Sequence, residues 1–106
     1  MIYQLIAPTS LTATSPQFSG NNKNNIALCC NTLQGTETIT LQIYDNANNL
    51  WSNALNNGDL YQINATNNFM SFSLDTQIYR IVKTATAAVV GLDMYTDSVI
   101  PNLIAK

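Results

Sequence analysis

The sequence predicts an all-β protein, an antiparallel β-sandwich of jelly-roll or immunoglobulin-like type with about seven to nine short strands. Two observations support this class. Short segments of alternating apolar and polar residues recur along the chain, and turn residues separate them roughly every ten residues. No segment keeps a helical apolar period over two turns. Because 106 residues suffice for one core, residues 1–106 are predicted to form a single domain.

The clearest strand is Thr36–Asp45, with the sequence TETITLQIYD. Its aliphatic residues Ile39, Leu41 and Ile43 fall on one side, and polar residues alternate with them on the other. This period of two is typical of a strand with one buried face and one wet face. Tyr44 is therefore expected on the wet face.

Weaker versions of the same pattern predict the neighbouring strands. They lie at residues 26–30, 60–66, 70–74, 78–84 and 88–95. The polar stretch 19–25 is predicted to be a loop, and Asn57-Gly58 favours a tight hairpin turn. The adjacent Cys29 and Cys30 are expected to be free thiols that point to opposite faces, with at least one buried.

The first fifteen residues contain two short segments that each end at a proline. Ile2–Ala7 stops at Pro8, and Thr9–Ser15 stops at Pro16. Proline cannot donate to a β-ladder, so it marks edge strands and boundaries. Residues 1–15 are predicted to be either an extended arm that reaches a neighbouring molecule or the first strand pair of the domain.

The composition favours association with proteins over nucleic acid or membrane. Charged residues make up only 9% of the chain, against about 25% in average domains. A weakly charged surface rich in Asn and Thr carries little repulsion between copies, so a homo-oligomer is expected. The basic residues are few and scattered, which argues against binding to phosphates. No apolar run approaches the roughly 18 residues of a membrane span, and export by the usual signal-peptide route is not expected.

Catalytic chemistry is not expected. The chain has no histidine, which removes the commonest general base and metal ligand. Most carboxylates lie in predicted turns, where Asp is favoured for its hydrogen bonds to the backbone. Glu37 and Asp93 are predicted on outward strand faces. No spacing of ligands or glycines predicts a metal, a cofactor or a phosphate site.

Three aromatic residues are candidates for contact with a partner or a glycan. Trp51 lies between two Asn-rich turns, Tyr44 is on the predicted wet face, and Phe69 follows the Asn67-Asn68 turn. Exposed aromatic rings stack on sugars or anchor protein interfaces. The alternative for Trp51 is that it covers one end of the sandwich core.

The last two-thirds of the chain resembles small virion proteins of tailed bacteriophages. The matching residues are Thr38–Gln42, Trp51, Tyr79–Lys83 and Val89–Leu92. The glycine-rich loop that precedes the tryptophan in that group is replaced here by an Asn-rich one. The resemblance implies a capsid-associated decoration, cement or fibre-base protein with a jelly-roll or immunoglobulin-like fold, and it brings no catalytic motif.

We therefore expect a structural protein of a bacteriophage virion, made in the host cytoplasm. Its expected partners are copies of itself, other capsid proteins or both. The alternative is a non-catalytic carbohydrate-binding module that uses Trp51 with Tyr44 or Phe69 and nearby Asn side chains.

Overall fold

The computed structural model describes residues 1–20, 24–56, 58–74, 76–101 and 103–106, without the side chains of Asn24 and Asn56. Predictions that fall on Lys23, Asn57 and Asp75 lie outside the described residues. All regular secondary structure in the described ranges is β-strand, arranged in two antiparallel sheets and one separate two-stranded hairpin. The all-β sandwich prediction is confirmed.

The described residues form twelve strands, of which eight have three or more residues. The remaining four are two-residue segments beside longer strands or in a hairpin. The strands are β1 (Ile2–Thr9), β2 (Ala13–Thr14), β3 (Phe18–Ser19), β4 (Asn24–Cys29), β5 (Thr38–Asp45), β6 (Leu50–Asn53), β7 (Leu55–Asn56), β8 (Asp59–Leu60), β9 (Gln62–Asn64), β10 (Phe69–Leu74), β11 (Ile78–Lys83) and β12 (Val90–Thr96).

The strand order identifies the sandwich as a jelly roll. The first sheet has the order β1-β12-β4-β10. In the second sheet, β2 and β3 line one side of β11, which pairs with β5, and β6 and β9 line the far side of β5. If β2 and β3 are counted as one strand, and β6 and β9 as another, the fold has eight strands. The first of these pairs with the eighth, the second with the seventh, the third with the sixth and the fourth with the fifth. This is one long antiparallel ladder rolled into two sheets. An immunoglobulin sandwich instead places the first strand beside the second.

The core lies between the inward faces of the two sheets. The alternation in β5 buries Ile39 and Leu41 completely, as predicted. Ile43 is only half-buried, and Thr40 on the predicted wet face is buried, which differs from the prediction. Opposite Ile39 and Leu41, the paired residues Leu28 of β4 and Met94 of β12 are fully buried in the first sheet. Cys30 is buried and Cys29 is exposed, and both are free thiols, as expected.

The inward face of β11 ends in a buried ammonium group. Lys83 is only 3% exposed. Its Nζ donates hydrogen bonds to the carbonyl oxygens of Leu11 (2.8 Å) and Thr84 (3.0 Å) and to Oγ1 of Thr86 (3.1 Å). Three acceptors match its three donors, which offsets much of the cost of burying the group. Lys83 thereby holds together the loops at one end of the sandwich.

The N-terminal segment is part of the sandwich in this structure. Strand β1 pairs with β12, and its Tyr3, Leu5 and Ile6 are buried in the core. The hydroxyl of Tyr3 accepts a hydrogen bond from the N–H of Ile100 at 2.9 Å. Residues 1–15 were predicted to be either an extended arm or the first strand pair of the domain. In the structure they contain strands β1 and β2, which pair within the domain.

A short hairpin interrupts the edge of the second sheet, where the sequence predicts one continuous strand at 60–66. The N–H of Ala54 donates to the carbonyl of Leu41, whose own N–H donates to the carbonyl of Tyr61. The N–H of Tyr61 donates back to Ala54 at 3.2 Å and closes the base. Strands β7 and β8 therefore protrude between β6 and β9 and, among the described strands, pair only with each other. We call this hairpin the β7–β8 ribbon.

Candidate functional site

Two of the predicted aromatic residues meet on the outer face of the second sheet. Tyr44 of β5 lies directly opposite Trp51 of β6. Their ring centroids are 5.2 Å apart and the rings are tilted by 60°. Both side chains are half-buried. Such a tilted pair is a favourable aromatic geometry, which keeps both rings fixed on the sheet surface.

Arg80 reaches this pair from β11, on the far side of β5. Its Cζ lies 4.3 Å from the centroid of the Trp51 ring, a cation–π contact. Its Nε donates to Oε1 of Gln42 (2.8 Å), and Nε2 of Gln42 donates to Oδ1 of Asn53 (3.1 Å). We name these five residues the Trp51 cluster. Three adjacent strands position it, so it is built on the rigid part of the sheet.

The turn after β5 supports the cluster from one end. The hydroxyl of Tyr44 donates to Oδ1 of Asn49 at 3.2 Å, and Asn49 has a positive φ of 54°. The carboxylate of Asp45 accepts hydrogen bonds from Nδ2 of Asn48 and the N–H of Ala47. These bonds, led by that from Asn48, lower the pKa of Asp45 below its ordinary value. The charged Asp45 therefore holds the turn that positions Asn49.

The chemistry of the Trp51 cluster suits recognition of a polar partner. Within the described ranges, the only ion pair joins Lys106 to Asp93, so no described carboxylate neutralises Arg80. A guanidinium has five N–H donors, and one of them is used by Gln42. No other described residue accepts a hydrogen bond from this guanidinium, so its other donors can bind a carboxylate or carbonyl oxygen of a partner. Stacking on Trp51 fixes the guanidinium before binding, which reduces the entropy lost in a complex.

The structure places the three predicted aromatic residues on two different sheets. Phe69 lies on β10 of the first sheet and is 51% exposed. It is therefore not part of the Trp51 cluster. Trp51 lies on the outer face of its sheet and is not among the buried core residues, so it does not cover the end of the core.

The contact of Arg80 with Trp51 was not predicted from the sequence. The alternation in residues 78–84 does place Arg80 on an outward face. Nothing in the sequence, however, indicates that β11 lies beside β5, because the strand order is not encoded in the alternation. The missed contact is a consequence of topology.

The two carboxylates predicted on outward strand faces, Glu37 and Asp93, both have partners within the fold, although Glu37 lies just before β5 and not in a strand. Glu37 accepts hydrogen bonds from the N–H groups of Gln34 (2.9 Å) and Ala87 (2.7 Å). Asp93 of β12 pairs with Nζ of Lys106 at 2.9 Å.

No group of three or more possible metal ligands occurs among the residues that the structure describes. The same residues include no helix of the length and apolar character needed to cross a bilayer.

Comparisons with protein-family models, with curated proteins and with solved structures found no match to this chain.

Proposed function

We propose that this protein is a structural component of a bacteriophage virion that docks on capsid proteins through the Trp51 cluster. Three properties support this proposal. The jelly-roll strand order is one that viral capsid domains use. The chain resembles small virion proteins in residues 38–42, 51, 79–83 and 89–92. Its surface carries little charge to oppose close packing in a lattice.

The Trp51 cluster is the observation that carries the proposal. Trp, Tyr and Arg are the residue types most enriched in the hot spots of protein interfaces. Here the ring of Trp51 contacts both Tyr44 and Arg80 on the outer face of the second sheet. The surrounding Gln42 and Asn53 form a polar rim that is hydrogen-bonded to Arg80 through Gln42. We infer that the partner presents a carboxylate or a row of carbonyl oxygens to Arg80.

The test is binding of purified variants to phage particles that lack this protein. Trp51→Ala and Arg80→Ala are each expected to weaken binding by about 30-fold, the effect of a hot-spot loss of about 2 kcal/mol. Tyr95→Ala is the control, because Tyr95 is an aromatic residue on the other sheet and, at 48% exposed, is more accessible to a partner than Trp51. Equal binding by wild type, Trp51→Ala and Arg80→Ala would contradict the proposed docking surface.

A carbohydrate-binding module is the second candidate, because amide side chains flank the aromatic pair. Gln42, Asn49 and Asn53 lie around Tyr44 and Trp51, and amides bind sugar hydroxyls while rings stack on the sugar. A glycan array separates the two functions. If this function is correct, wild type binds a glycan, and Trp51→Ala abolishes that binding while leaving the oligomeric state unchanged.

A further inference from the structure

Strand β10 is an edge strand without the usual protection against pairing. It lies at the end of the first sheet, and within the described part of the chain no strand pairs with its second side. Its six residues, FMSFSL, contain no charge and no proline. They pair with β4 in a continuous register from Phe69 to Leu74 without a bulge. A regular, uncharged edge of this length is a template for another strand.

The alternation of hydrogen bonds shows which backbone groups face outward. The N–H of Cys30 donates to the carbonyl of Asn68 at 3.0 Å, so that pair is hydrogen-bonded. In an antiparallel ladder such pairs alternate with pairs that have no hydrogen bonds between them. The N–H and C=O groups of Phe69, Ser71 and Ser73 therefore point away from β4. All three side chains are also exposed.

The other edges of the sandwich are protected. Strand β1 contains two register shifts and Pro8, and the N–H of Lys106 donates to the outward carbonyl of Ile2 at 2.7 Å. On one side of the second sheet, β2 and β3 have two residues each and flank Pro16. On its other side, the β7–β8 ribbon interrupts the edge. Bulges, prolines and short strands are the devices that prevent edge pairing.

Open space and exposed leucines accompany the unprotected edge. A hollow of about 410 Å³ borders Phe72 and Ser73, and another of about 230 Å³ borders Phe69 and Ser71. Two exposed leucines of the β7–β8 ribbon also line these cavities, Leu55 (59% exposed) the larger one and Leu60 (43%) the smaller. They lie opposite each other in the ribbon. Large apolar side chains beside an unpaired edge are typical of a surface that is covered in an assembly.

We propose that β10 pairs antiparallel with β10 of a second copy, so that two first sheets become one continuous sheet. A second copy can supply the partner strand because β10 carries no charge, so two copies of this edge do not repel each other. In such a symmetric dimer the edge needs to be complementary only to itself. The outward backbone groups belong to Phe69, Ser71 and Ser73. Because Ser71 is the middle one of the three, the two-fold axis passes beside it. Ser71 then lies opposite Ser71 of the partner subunit, and Phe69 lies opposite Ser73 of the partner subunit. Each opposed pair exchanges two N–H···O bonds.

The first test is the mass of the full chain by sedimentation and light scattering. Wild type is expected to be dimeric and Ser71→Pro monomeric, because proline removes the N–H at the centre of the edge. That N–H does not bond to β4, so the far-UV spectrum is expected to stay unchanged. Gln4→Pro is the matched control. Because Met1 and Thr96 exchange hydrogen bonds, the N–H of Gln4 points away from β12 on the protected edge. This variant is expected to stay dimeric.

A charge-exchange test examines the two-fold register itself. Ser71→Lys alone and Ser71→Asp alone place like charges opposite each other and are expected to be monomeric. An equimolar mixture is expected to recover dimers that contain one copy of each. A monomeric wild type, a dimeric Ser71→Pro or a mixture that stays monomeric would overturn the proposal. Trp51→Ala is expected to remain dimeric, so failure of this inference is distinct from failure of the docking surface.

Discussion

The two edges of the first sheet, β1 and β10, have opposite designs. Strand β1 is the longer of the two, but it is bulged twice and contains Pro8. Strand β10 is regular, uncharged and unpaired on its outer side within the described residues. Both edges belong to the same sheet and share the same central strands, β12 and β4. The difference therefore reflects local sequence, and it is the difference that the proposed pairing of β10 requires.

The protection of β1 depends on a close backbone approach at Gly91. A Cβ atom at this position would lie 2.9 Å from the carbonyl oxygen of Ile6 and 3.0 Å from the nitrogen of Pro8. Both are backbone atoms of the bulged segment and cannot move as a flexible side chain would. Glycine at position 91 thus permits the bulge to pack against β12.

The largest expected effect comes from Gly91→Ala. The added methyl group forces β1 away from β12, which should lower the free energy of unfolding by about 1–3 kcal/mol. Chemical denaturation measures this loss, and hydrogen exchange should show faster opening of β1 than of β10.

Gly35→Ala is the matched control for that variant. Gly35 also has a special conformation, with φ of 56°, but nothing lies within 4 Å of the position of a Cβ. Backbone strain in Gly35→Ala should lower the free energy of unfolding by about 1 kcal/mol. This variant should leave hydrogen exchange in β1 unchanged. Loss of β1 protection in both variants would show that the effect is global and would not support the role of Gly91.

A smaller effect is expected from Lys106→Ala. The ion pair of Lys106 with Asp93 is exposed to solvent, with the two side chains 52% and 29% accessible. Its removal should therefore change stability by no more than about 1 kcal/mol. The backbone bond from residue 106 to Ile2 is retained in this variant, and so are Pro8 and the bulges. We expect no new association through β1, which concentration-dependent sedimentation checks.

The sequence predicted the faces of the strands better than their neighbours. The alternation in β5, β10 and β12 identified the inward residues, such as Leu41, Leu74 and Met94, which are fully buried or nearly so. Alternation has a period of two and thus constrains the face of each side chain. It does not state which strands pair, so the contact of Arg80 with Trp51 was not predictable. Phe69 was grouped with Trp51 for the same reason.

The interrupted edge of the second sheet shows a second limit of the pattern. Residues 60–66 alternate like one strand, and Ile63 is buried as that pattern requires. The bonds of Leu41 to Ala54 and Tyr61 nevertheless divide the strand and leave the β7–β8 ribbon outside the sheet. These are long-range backbone contacts that a local pattern does not encode. The unprotected character of β10, in contrast, is visible in its sequence once its edge position is known.

The smallest expected effect depends on pH and concerns the attachment of β10 to its sheet. Asp97, after β12, accepts hydrogen bonds from the N–H (3.2 Å) and Nδ2 (2.9 Å) of Asn25 in β4. Oδ1 of Asn25 in turn accepts a bond from the hydroxyl of Ser73 in β10. The bonds from Asn25 lower the pKa of Asp97 below its ordinary value of 3.8.

A lowered pKa in the folded state means that the Asp97 carboxylate stabilises the fold fully above pH 3.8 and loses this contribution as the pH falls through the folded value. Denaturation of wild type and Asp97→Asn at a series of pH values should therefore give a constant difference at neutral pH that shrinks in acid. Asp45→Asn is the control, since Asp45 also has a lowered pKa but lies in the second sheet. Amide shifts of Asn25 and Ser73 should follow the titration of Asp97 and not that of Asp45. Parallel acid profiles for wild type and Asp97→Asn would show that this connection does not contribute to holding β10 in place.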